Sequence, residues 1–396
     1  KIPQSVIYIG KYAFDECNSL ASIDVDENNQ KYSSDEYGVL FNKDKTEIIR
    51  YPIGNMRTKY TLPDSVVNIG DWSFDNCRNL VVVIIPDGVK KIGCGAFESC
   101  ESLTSITIPN SVVSIGDWAF CECYDLTSVN ISDGVERIGV CAFDGSGIYT
   151  NPSNWEDGVL YIGNHLIAVD FFVTGKYVVK QGTKTIAGCA FGGCFGITNV
   201  VIPEGVKSIG EDAFEYCYSL ETVIIPESVK YIGNLAFDVC ENLTYIGYAG
   251  TEEKWNEIEI DSDNEYLFAT EVIFSFDTGF EIRKPSVTTI VYGDRIILHA
   301  DYDKELPEGA YIVWSANNGN FSLSPSEDGM SCTVSPQKRG NTVISATMYD
   351  ESGKILSFDM QKMTAKVSFI YKLIAFFKNI FGLIKVIPQA MFGIKL

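Results

Sequence analysis

Residues 103–123 read Leu-Thr-Ser-Ile-Thr-Ile-Pro-Asn-Ser-Val-Val-Ser-Ile-Gly-Asp-Trp-Ala-Phe-Cys-Glu-Cys, and the same skeleton returns 23 residues earlier and 23 residues later. Working outward from Phe120, the aromatic mark recurs as Phe14, Phe74, Phe97, Phe143, Phe191, Phe214 and Phe237. Five residues before it stands isoleucine in all eight copies: Ile9, Ile69, Ile92, Ile115, Ile138, Ile186, Ile209 and Ile232. Four residues before it stands glycine in seven, with Ala187 the exception, and three residues after it cysteine in seven, with Ser146 the exception. The gaps of 60 (Phe14 to Phe74) and 48 (Phe143 to Phe191) fit further coils with insertions. A fixed period of this size is the mark of a solenoid, of about ten coils ending near residue 250.

Each coil has a physical reading. Leu103 to Ile108 is a short strand with its large apolar side chains inward and Thr107 outward, by the two-residue alternation. Pro109 ends it for want of a ladder donor. Val112 to Ile115 is a second extended piece, and Gly116 turns the chain where a Cβ would crowd the neighbouring coil. Asp117 to Cys123 is expected to be helical or 3₁₀, with Ala119 tucked close and Phe120 buried. One coil cannot bury its own apolar face, whereas stacked coils share one core. Residues 37–51 and 158–173 break the period and read as strand, turn, strand, with Asn42 to Thr46 and Gly163-Asn164-His165 as the turns.

The pattern L-x-x-I-x-I-P-x-S-V-x-x-I-G-x-x-A-F-x-x-C closely resembles the BspA-like, treponemal-type leucine-rich repeats of bacterial surface proteins. The resemblance covers roughly residues 1–275, and the segment from Gly250 through Trp255 to Ile258 looks like the cap that closes such arrays. It implies a surface-exposed or secreted protein, in some relatives an adhesin for host proteins or other bacteria.

Beyond residue 276 the repeat ends. A linker is expected at 277–286, and short β-prone runs from 287 to 361, separated by turns, predict a small β-sandwich. Tyr311-Ile-Val-Trp314-Ser315, Cys332-Thr-Val334 and Gly340 to Ala346 resemble bacterial immunoglobulin-like domains, with Trp314 read as core. Residues 362–396 hold six lysines and no acid, which leaves residues 1–361 with 25 basic against 52 acidic residues, a net charge of −27. That tail is strongly apolar, but Lys372, Lys378 and Lys385 interrupt it. It fits an interfacial or wall-proximal anchoring helix better than a membrane span. The chain opens inside a repeat, as expected of a processed form from which an export signal was removed.

Little in the sequence points to chemistry. Of twelve cysteines, seven sit on one rung: Cys17, Cys77, Cys100, Cys123, Cys194, Cys217 and Cys240. They read as a ladder of buried thiols, with disulfides or a metal site as the lesser alternatives. The two histidines, His165 and His299, join no catalytic motif. The acidic charge excludes nucleic acid. No cofactor and no metal are expected, and no enzyme activity, a site assembled in space being the lesser alternative.

Two ladders are candidates for binding. The outward strand position is occupied by Ile84, Thr107, Asn130, Val201 and Ile224. The residue after the aromatic mark is acidic at Asp15, Asp75, Glu98, Asp144, Glu215 and Asp238, a solvated edge or a weak site for cations or a cationic partner. The function these features support is an extracellular, adhesin-like protein-binding module that meets a host protein or a neighbouring cell. The alternative is a structural spacer of the bacterial envelope.

Overall fold

The structure is a computed structural model that describes residues 1–275, 280–282, 289–291, 295–302, 306–307, 309–316, 319–338, 340–351 and 355–366. The chain divides into two compact units. The first comprises Lys1–Ile246 and Gly250–Val272; the second takes Gly247–Ala249 and the chain from Ile273 onward.

The first unit is a parallel β-solenoid. The two-residue strands at the register isoleucine pair in perfect phase, Ile69 with Ile92, Ile92 with Ile115 and Ile115 with Ile138. Strands Lys59–Thr61, Val82–Ile84, Ser105–Ile108 and Ser128–Ile131 form a second parallel ladder, with Asn130 beside Thr107. The register phenylalanines stack face to face in the core, Phe97 on Phe120 at 5.2 Å and 4° and Phe120 on Phe143 at 5.3 Å and 8°. Gly116 is required by close approach: a Cβ there would lie 2.5 Å from the Cys94 amide nitrogen one coil back.

The expected helix at Asp117 to Cys123 does not form. The segment is a run of turns in which Trp118 and Glu122 take left-handed backbone angles, φ 51° and 56°. The same two positions are left-handed in other coils, at Trp72 and Asn76 and at Asp212 and Tyr216. The reason lies in the hydrogen bonds. Alternate amides of the turn donate to the next coil, Trp118 to Val140 O at 2.9 Å, Phe120 to Ala142 O at 2.7 Å and Glu122 to Asp144 O at 2.9 Å. A helix would keep those donors to itself. A left-handed residue costs about 1–2 kcal/mol, which the bonds between coils and the stacked core offset.

The cysteine rung is free thiol throughout. It also has a partner that the sequence did not reveal. Cys100 Sγ donates to Phe74 O at 3.2 Å, Cys123 Sγ to Phe97 O at 3.0 Å and Cys217 Sγ to Phe191 O at 3.1 Å. These thiols cap the carbonyl of the register phenylalanine one coil back, whereas Cys77 and Cys194 donate to Tyr51 O and Val169 O, and Cys17, expected to be buried, is only half-buried.

The stack is not continuous. Its strands fall into two sets of sheets, one ending at Arg137–Ile138 and Ser128–Ile131, the other starting from Trp155–Glu156 and Thr174–Val178. Phe191 meets Tyr177 edge-on at 5.7 Å and Phe214 face to face at 4.6 Å, while Phe143 stacks only on Phe120 among the described residues. The second set opens with one of the two antiparallel meanders, Trp155–Glu156, Val159–Ile162 and His165–Val169. The other is Tyr32–Ser34, Leu40–Asn42 and Glu47–Arg50. His165 is not in the turn, as expected, but in a strand, fully buried, its Nδ1 2.9 Å from Thr185 Oγ1. Beyond Gly250 the solenoid continues through helix Glu252–Trp255, strand Glu259–Ile260 and helix Glu265–Ala269 to strand Glu271–Phe274.

The second unit holds two four-stranded sheets. Leu298, Ile312, Trp314, Cys332, Val334, Ile344 and Met348 share one core, and Trp314 Nε1 donates to Gly329 O at 2.6 Å. Strand Phe280–Ile282 falls inside the expected linker, and strand Ile355–Lys366 runs past residue 361. The anchoring reading of the tail falls on residues 367–396, outside the described residues. Among the described residues no helix is long and apolar enough to cross a membrane.

Candidate binding surfaces of the solenoid

The outward strand residues do not form one ladder. Ile84, Thr107 and Asn130 lie on the first sheet, all exposed. Val201 and Ile224 lie side by side on the second, half-buried, with Val178 next to Val201 and 58% exposed. The break at the meander separates a mixed polar face from an apolar one.

The acidic positions fall into groups as well. Asp15, Asp75 and Glu98 line one groove of about 800 Å³ together with Tyr12, Glu16, Trp72, Asn76 and Arg78. Burial pushes the Asp75 carboxyl up, against the pull of Asn76 and Arg50, and Asp15 adds to the rise. Burial also raises Glu98, with Asp75 and Glu122 adding to it and Trp72 opposing it. Crowded carboxylates that hold their protons above the usual range form a field that favours a cation beside them. Asp144 and Glu215 are separated from that groove and line a second cavity at the break, while Asp238 lies one coil on and raises Glu215. Among the described residues, no group of three or more His, Cys, Asp or Glu side chains is placed to hold a metal ion.

Two residues that line the first groove, Tyr12 and Trp72, and two cations beside it, Lys11 and Arg50, escaped the sequence reading. Tyr12 and Trp72 occupy the left-handed position of the turn or its equivalent, two before the register phenylalanine, with ring centroids 5.8 Å apart. Lys11 Nζ sits 4.1 Å above the Trp72 ring, so the aromatic wall already holds one cation from the chain itself. Arg50 is 4% exposed, its Nη2 3.8 Å from Asp75 Oδ2, and it donates through Nη1 to Trp72 O. Aligning the coils two residues before the phenylalanine would have exposed the aromatic positions Tyr12, Trp72 and Trp118. Nothing periodic marks Arg50.

Comparison with known proteins gives the repeat a family. Residues 1–52, 54–168 and 175–262 match the model of the BspA type leucine rich repeat region, in six copies. No curated protein matches the chain. Among solved structures, a leucine-rich repeat protein from Eubacterium ventriosum is 27% identical with a TM-score of 0.40, over 61% of this chain and 58% of that one. The chain thus spans less than two thirds of that relative's length. A leucine rich cell surface protein from Faecalibacterium prausnitzii is 22% identical with a TM-score of 0.24, over 58% of this chain and 98% of that one. A leucine rich repeat protein of T. pallidum is 23% identical with a TM-score of 0.25, over 56% and 80%.

Proposed function

The chain belongs to the BspA type leucine rich repeat family, and from that premise we propose that it is a non-enzymatic, surface-displayed binding module of adhesin type, with the solenoid as its platform. The observation that carries the reading is the groove of Asp15, Asp75 and Glu98 walled by Tyr12 and Trp72. It is wide, acidic and aromatic, and it suits a Lys- or Arg-bearing segment of an extracellular or host protein, or of a neighbouring cell surface. Ile84, Thr107 and Asn130 extend the platform along the outward sheet face; Val201 and Ile224 do so on the second block. The second unit, in this reading, is an immunoglobulin-like sandwich.

The test is binding of the full chain to immobilised matrix proteins and to whole cells at low and high salt. Saturable binding that weakens with salt and is lost in Asp75→Lys or Glu98→Lys, both with unchanged unfolding midpoints, supports the adhesin reading. Binding that ignores both substitutions moves the platform to the outward strand face. Absence of binding by a protein that still localises to the cell surface favours the spacer.

A further inference from the structure

The break between the two stacks holds a pair of cysteines that the repeat does not explain. Cys141 and Cys189 both stand two residues before a register phenylalanine, Phe143 and Phe191, where other coils carry Tyr12, Trp72, Gly95, Trp118, Asp212 and Leu235. They are therefore not members of the buried rung that caps the phenylalanine carbonyls. They come together because the two stacks touch at this point. The Gly188 amide donates to Ile138 O at 2.9 Å, and a Cβ on Gly188 would lie 2.6 Å from the Val140 nitrogen and 2.8 Å from its Cα. The next residue on each segment is a cysteine, and both are left-handed, φ 50° and 58°.

Both thiols line one cavity of about 390 Å³, with Asp144, Tyr149, Glu215 and Tyr216, and both are only half-buried. The rung cysteines beside them, Cys123, Cys194 and Cys217, are fully buried. Each thiol is the group that most perturbs the other's acidity, as expected of neighbours in one cavity. We propose that Cys141 and Cys189 are a redox-active pair, which a low-molecular-weight disulfide entering this cavity converts to an intramolecular bridge between the N-terminal and C-terminal stacks.

The chemistry balances as two exchanges. The Cys141 thiolate attacks one sulfur of the small disulfide, the S–S bond breaks, and one thiolate leaves and takes up the proton that Cys141 released. Cys189, deprotonating in turn, attacks the mixed disulfide at Cys141 and expels the second small thiol. Two protein thiols are oxidised and one small disulfide is reduced to two thiols. The hydrogen bond from Cys189 holds the Cys141 thiol below the usual range, against burial and the charges of Asp144, Asp212 and Asp117. The same bond and burial push Cys189 up. The residues just before the two cysteines, Gly188 and Val140, are in direct backbone contact, the close approach of chain segments that a bridge requires.

The test is incubation of the full chain with oxidised glutathione, followed by alkylation in denaturant and peptide mapping by mass spectrometry. The expected product is two hydrogen atoms lighter, with a linked peptide joining Cys141 to Cys189 and ten cysteines alkylated. In Cys141→Ser or Cys189→Ser the remaining cysteine should instead carry a glutathione adduct that persists. Wild-type mapping alone decides the matter should either variant fold poorly. Twelve alkylated cysteines, a bridge between other residues, or stable glutathione adducts on both Cys141 and Cys189 would each overturn the assignment.

Discussion

Arg137 Nη2 lies 2.9 Å from Glu259 Oε2, a residue 122 positions along the chain, and its guanidinium lies 4.0 Å from the centre of the Tyr231 ring. In an unbroken solenoid a coil touches only its neighbours. This contact skips coils, and so does Ser208 Oγ to Glu136 O. The last coil of the first stack therefore lies against the flank of the second, and the meander at 155–169 supplies the chain needed to turn the corner.

Arg137→Ala should leave the fold intact and lower its stability only modestly. The ion pair is half-exposed on both sides, which limits it to about 1 kcal/mol or less, and the ring contact adds about 0.5–1 kcal/mol. A double-mutant cycle with Glu259→Ala, read from urea unfolding midpoints, should return a coupling below about 1 kcal/mol that shrinks in high salt. A coupling unchanged by salt would mean that packing rather than charge holds the corner.

Phe120→Ala should be far more costly. Phe120 is fully buried and has a parallel ring on each side, so its loss opens a cavity in the middle of the stack. A penalty of about 3–5 kcal/mol is expected. Phe14→Ala, at a half-buried position in the first coil, should cost clearly less. Thermal unfolding of the two variants side by side gives the comparison, and equal losses would contradict a core that strengthens toward the centre of the stack.

The rung thiols should be inert in the folded chain. Burial pushes Cys123, Cys194 and Cys240 up to about 12, so almost no thiolate exists at neutral pH. Iodoacetamide applied to reduced, folded protein at pH 7.5 should spare these three, while urea should expose all twelve cysteines of the chain to it. Rapid native labelling of Cys123 would show that the stack opens on the labelling timescale.

What the sequence made legible was whatever stacking repeats. Ile115, Phe120 and Cys123 recur because each meets its own equivalent one coil away, so period alone identifies them as core. Gly116 could be read the same way, since the crowding at its Cα returns at Gly93, Gly139, Gly210 and Gly233. The left-handed residues Trp118 and Glu122 were missed because φ there is imposed by hydrogen bonds between coils, which tolerate tryptophan, cysteine or aspartate alike. The corner contacts of Arg137 and the pairing of Cys141 with Cys189 occur once, and a feature that occurs once leaves no period. The outward residues Ile84 and Ile224 looked like one ladder because the sequence keeps its phase across a break in the stack.

Asp212 should make the protein less stable as pH rises from about 4 to 6. Burial pushes its carboxyl up to about 6, with Glu215, Glu211, Asp117 and Asp238 adding to the rise, and its Oδ1 is buried without a hydrogen-bond partner. The folded chain then binds this proton more tightly than the unfolded chain, whose aspartate titrates near 4. Below pH 4 both states hold the proton and nothing is lost; above pH 6 the penalty is complete. Asp75, Glu98 and Glu215 are raised as well and act with the same sign. Asp212→Asn removes one such charge at a position with φ 54°, an angle that asparagine tolerates. The variant should gain about 1 kcal/mol at pH 7, the shift being discounted for the solvent that reaches the carboxyl, and almost nothing at pH 4. Urea midpoints at the two pH values read this directly. An equal gain at both would assign the effect to the new amide's hydrogen bonds and not to the lost charge.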